Sequence, residues 1–127
     1  MESWDLKTVE VEAHQPRILA SADDARTILL RLPAGEELQE HEVHERARVI
    51  VVDGEVDVTT EDGADFASAT DGHLFEFAPG ERRTVVARSD ARLLMVLSPW
   101  PGDGHPGAMT LEEKSEARDK AAEHAAQ

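Results

Sequence analysis

Short apolar blocks recur along the chain at Thr8–Val11, Arg17–Ala20, Thr27–Leu32, Ala47–Val52, Glu55–Thr59, Leu74–Phe77, Thr84–Ala87 and Leu93–Leu97. Turn-forming stretches part nearly all of them: SADD, PAGEE, DG at 53–54, EDG at 61–63, TDG at 70–72, APGE at 78–81 and RSD at 88–90. Val56 and Val58 alternate with Asp57 and Thr59, the period of a half-buried strand. Many short strands punctuated by Asp-Gly and Pro-Gly turns predict an all-β fold, an antiparallel sandwich or barrel. The pattern in ARVIVVDGEVDVTTEDG further predicts a hairpin, with Asp53-Gly54 as a two-residue primed turn that needs positive φ angles.

After Leu97 the pattern changes. SPWPGDGHPG, residues 98–107, holds too much Pro and Gly for a helix or an interior strand, so a stiff loop is expected, with Trp100 covering one end of the barrel. Thr110 and Glu113 form a capping box for a C-terminal helix, and Glu116 and Lys120 pair one turn apart on it. Its inner stripe is nearly all alanine and buries little area, which suits a surface arm or a contact across a dimer. The expected organisation is a β-barrel over residues 1–108 and a helical arm over 109–127.

Composition narrows the partners. A chain of 127 residues suits one core, and the absence of cysteine removes disulfides, thiolate metal sites and cysteine nucleophiles together. A formal net charge of −14 repels phosphate backbones and anionic lipid surfaces, so no nucleic acid and no membrane partner is expected. With neither a basic leader nor a long apolar run, the expected localisation is cytoplasmic.

Candidate chemistry begins at HEVHE, residues 41–45, where two histidines stand among acids. The enclosing stretch LPAGEELQEHEVHERARVIVVDGEV resembles the first motif of the cupin superfamily: a glycine, five residues, His-x-His, three or four residues, a Glu, six residues, a glycine. Gly35, His41 and Gly54 fall at three of its landmarks. GHLFEFAPGERRTVVA resembles the second motif, with Gly72 and Gly80 at its two glycines and Pro79 shifted by one from the proline position. The resemblance spans roughly residues 25–98 and implies a cupin-like antiparallel β-barrel, a double-stranded β-helix or jelly roll, commonly dimeric. In that family three histidines and a glutamate commonly hold one divalent metal.

Here the implied ligand set is mostly absent. His41 stands at the first histidine position, but Val43 is at the second, Ala47 or Arg48 is at the glutamate, Arg83 is at the third histidine and Ala87 is at the asparagine. A rebuilt metal site for Fe, Mn, Ni or Zn would rest on His41 with Glu45, His44 or Glu76. On a strand, His44 points away from His41 unless a bulge intervenes.

Arg83 is the more telling position. With Val43, Ala47, Val49, Val51 and Val85 as neighbours of the same parity, an inward guanidinium needs an anionic partner. That partner is either an internal carboxylate, Glu45 or Glu76, or the carboxylate or phosphate of a ligand. The candidate ligand site is therefore Arg83 and His41 with Val43, Ala47, Val49, Val85, Phe75 and Phe77.

No catalytic residue is identified, since GxSxG, SxxK and Gly-rich phosphate loops are all missing. The leading expectation is a homodimer that binds a small anionic molecule without metal. The alternatives are a metal-dependent oxygenase or isomerase built on His41, and a scaffold whose barrel is filled by its own side chains.

Overall fold

A computed structural model describes residues 1–22, 24–38, 44–61, 63 and 65–101. They form nine strands: β1 (Arg17–Ser21), β2 (Arg26–Leu32), β3 (Glu37–Leu38), β4 (Arg46–Asp53), β5 (Val56–Thr60), β6 (Phe66–Ala69), β7 (Leu74–Phe77), β8 (Arg83–Ala87) and β9 (Ala91–Ser98). One sheet runs β1-β2-β9-β4-β7 and the other β3-β8-β5-β6. Every pairing is antiparallel. Two antiparallel sheets closed face to face over one core make the β-barrel that the alternation predicts. The helical arm expected at 109–127 lies outside the described residues.

The core follows from alternation. On β4 the side chains of Ala47, Val49 and Val51 are buried, while the alternate residues Arg46 and Arg48 are exposed. On β8 Arg83, Val85 and Ala87 point inward, and on β9 Ala91, Leu93, Met95 and Leu97 do the same. Apart from Arg83, these inward residues join Leu32, Val56, Val58, Ala69 and Phe77 in a single apolar cluster. Each valine or leucine fully withdrawn from water contributes about 1.5–3 kcal/mol, so this cluster is the main source of stability.

The Asp53-Gly54 hairpin does not form. β4 pairs with β7 and β9, whereas β5 pairs with β6 and β8, so the chain crosses from one sheet to the other at this point. Gly54 has φ 92°, but Asp53 is not in the left-handed region, which rules out a primed turn with both central residues there. Glycine is needed for a second reason: a Cβ on Gly54 would overlap the Asp90 carbonyl oxygen and lie 2.8 Å from the Ala91 Cα. The local hairpin is instead β5–β6, turning through Gly63 at φ 70°.

Thr8–Val11 is not a strand either. The Arg92 guanidinium donates hydrogen bonds to the Leu6 and Val9 carbonyls at 3.1 and 2.6 Å, which fastens the N-terminal segment onto the five-stranded sheet. Val11 and Leu29 are buried apart from the main cluster. Two strands lack a sequence signal. β3 has only two residues within an acidic run, and β6 is a four-residue strand that exposes its one large side chain, Phe66. β6 is braced by polar contacts, with the Ser68 hydroxyl donating to Asp57 Oδ1 at 2.6 Å and Arg88 to Oδ2 at 3.0 Å. Those two donors, Ser68 first, hold the Asp57 carboxyl below its usual range.

The crossover makes a prediction. Gly54→Ala should lose roughly 1–3 kcal/mol to left-handed strain alone, and more from the overlap with Asp90. Urea unfolding would check it; a variant as stable as wild type would contradict the close approach.

Candidate functional site

The side chains at one end of the barrel are placed by register. Across four adjacent strands of the larger sheet, Arg26 pairs with Leu97, Leu97 with Ala47, and Ala47 with Phe77. Strand alternation points all four toward the same face, so Arg26, Leu97, Ala47 and Phe77 form one row. Val49, Met95 and Phe75 make the next row inward.

Arg83 enters this end from the opposite sheet. It is 2 % exposed, and its guanidinium carbon lies 5.0 Å from the centre of the Phe77 ring. Nε and Nη2 are both out of contact with solvent. Desolvation pushes the Arg83 pKa below its ordinary value, and the Glu81 carboxylate partly opposes that shift. Phe77 supports the charge through its ring face, an interaction worth about 0.5–2 kcal/mol, which is small beside the cost of burying a cation. Arg83 therefore sits inside the barrel, whose interior also holds Ala47, Val49, Val51 and Val85, each 2 % exposed or less.

The carboxylates separate cleanly. Glu45 is 2 % exposed and shares the inward parity of Ala47. Glu76 points the other way, where its Oε1 lies 3.1 Å from Arg48 Nε on the exposed face, so it is not an interior partner for Arg83 or for a metal. Arg48 faces outward, which leaves Ala47 as the interior residue at the glutamate position of the motif. His44 is half-buried, whereas His41 and Val43 lie outside the described residues. His73 is exposed and packs at 5.4 Å on Phe75, which in turn stacks on Phe77 at 6.3 Å.

Trp100 covers this end in the manner its proline-rich setting suggests. It packs against the core cluster, its amide donates to the Asp24 carbonyl at 3.2 Å, and Arg26 stacks 4.0 Å above its ring. Arg26 carries no signal in the sequence. Its place beside Leu97 emerges only from the β2–β9 register.

The donor set does not fit the metal that the cupin resemblance implies. Valine and alanine offer no lone pair at positions 43 and 47, and Arg83 brings a cation to the third histidine position. Among the described residues no three histidine or acidic side chains gather closely enough to hold a metal ion. What the end does offer is a buried fork of N–H donors over an aromatic ring, with apolar walls.

No family model and no curated protein matches the chain. Solved structures do. An RmlC-like cupin with a double-stranded β-helix fold from Methanocaldococcus jannaschii is 16% identical, covers 80% of this chain and 93% of its own, and superposes with a TM-score of 0.67. An RmlC-like cupin from Desulfovibrio desulfuricans gives 19% identity, coverage of 78% and 97%, and a TM-score of 0.69. Protein TT1209 from Thermus thermophilus gives 25% identity, 78% and 98%, and 0.67. The likeness is one of fold.

The assignment of faces on β7 is testable by contrast. Phe77→Ala should cost about 3–5 kcal/mol, as for other buried aromatics. Its exposed neighbour in Glu76→Ala should cost no more than about 1 kcal/mol. Similar losses in the two variants, measured by urea unfolding, would mean that the strand is out of register by one residue.

Proposed function

We propose that this chain, whose barrel is a cupin double-stranded β-helix, binds a small organic anion inside that barrel with Arg83 as its anchor. The observation that carries the reading is the guanidinium itself, 2 % exposed and above Phe77, at the position where the family motif has a metal-binding histidine.

The chemistry favours a carboxylate or a phosphate. A guanidinium presents five N–H donors in a planar fork, so it can serve an internal carboxylate and still offer a pair of donors to a ligand oxygen pair. In this proposal Glu45, buried just before β4, is the internal carboxylate, and the low-dielectric surroundings strengthen any charge-assisted bond made there. Ala47, Val49, Val85, Phe75 and Phe77 supply apolar walls for the body of the ligand. His41 and Val43 complete the set in the proposal, with His41 as the second polar contact.

Sensing or sequestering of the anion suits this arrangement better than its conversion. The barrel offers a charge to hold a ligand, while none of the described residues at this end pairs a nucleophile with a base. The expected assembly is a homodimer. Among the described residues no helix is long and apolar enough to cross a membrane.

Mass action on the folded state tests the reading. A screen of small mono- and dicarboxylic acids and phosphate esters should contain ligands that, near one hundred times Kd, raise the melting temperature by on the order of 5–10 °C. Arg83→Met should lose that shift. Arg83→Lys should keep a smaller one, because an ammonium supplies charge without the fork. Shifts that persist in Arg83→Met would place the binding elsewhere and overturn the proposal.

A further inference from the structure

A different opening lies along the side of the barrel. β2 belongs to the larger sheet and β3 to the smaller, and neither pairs with the other. β3 is only two residues long, and among the described residues the seam between the sheets is open beside it. There a cavity of about 220 Å³ reaches the core, with Leu30, Leu32, Leu38 and Leu93 as its floor. Leu32 and Leu93 are buried, while Leu30 and Leu38 are only partly covered, leaving apolar surface facing the space.

The outer wall is a turn held across the seam. Glu12 and Gln15 form an isolated bridge, His14 adopts φ 65°, and His14 Nε2 sits 3.0 Å from Glu36 Oε2 in the β2–β3 connection. The rim therefore carries Arg31 against Glu36 and Glu37, with His14 bridged to Glu36, so it holds no excess of positive charge to draw an anion. This is the opposite of the Arg83 end, where a cation dominates.

We infer that this seam is a second binding site, which takes a small neutral apolar molecule of the size of a monosubstituted benzene. A leucine-lined cavity of about 150 Å³ in another protein is large enough to bind benzene, so the larger space here accommodates a ring with a short substituent. Binding removes the remaining leucine surface from water.

The test is a titration of the full chain, labelled at its methyl groups, with toluene and separately with benzoate, read by NMR. Toluene should give saturable shifts at the methyls of Leu30, Leu32, Leu38 and Leu93, and none at Ala47 or Leu97 beside Arg83. Benzoate should shift the seam methyls at least about tenfold more weakly, since its charge would lose hydration without gaining a partner. Leu38→Trp, which fills the cavity, should abolish the toluene response, and the wild-type map stands alone if that variant does not fold. Absence of saturable shifts, shifts centred on Ala47 and Leu97, or equal seam responses to both probes would overturn the inference.

Discussion

The two-residue period of the β-strand decides which side chains share the interior of this barrel, and the candidate site depends on that alternation. On β4 it turns Ala47, Val49 and Val51 inward and sends Arg48 out to Glu76, with Glu45 buried just before the strand. On β8 it brings Arg83 inside with Val85 and Ala87. A slip of one residue in either strand would exchange these sets completely, and the penalty for placing Arg48 in the core and Val49 in water keeps the register fixed.

From that constraint comes the character of the site. Interior positions that hold metal ligands in the family motif hold Ala47 and Arg83 here, so a fixed positive charge lies where a metal would supply one. The two solutions answer a similar electrostatic need by different means. A metal recruits anions through open coordination positions, whereas a guanidinium recruits them through paired hydrogen bonds of fixed direction. An arginine in an apolar shell is poor material for stability, and its desolvation is visible in the lowered pKa. Under the proposed function, its burial is a feature kept for recognition.

Much of this was legible in the sequence because the signals were local. Apolar blocks located seven of the nine strands, and the two glycine-bearing motifs placed Arg83 at an interior position. The failures share a cause. Asp53-Gly54 looks like a hairpin because turn chemistry is local, but whether flanking strands pair is decided by the rest of the sheet, and here Gly54 serves a crossover packed against Asp90. β3 and β6 are too short to show periodicity. Thr8–Val11 has the alternation of a strand, yet its Val9 carbonyl, like that of Leu6 just before it, is taken by Arg92, a residue more than eighty positions away. Arg26 joins the site only through pairing across four adjacent strands, which no window along the chain displays.

The claim that Arg83 stands in place of a metal is tested most directly by elemental mass spectrometry on untagged protein purified without a nickel column. The account predicts far less than one equivalent of iron, manganese, nickel or zinc per chain, in wild type and in His41→Ala alike. Close to one equivalent in wild type, lost in His41→Ala, would contradict it and make a metal held by His41 the centre of the site.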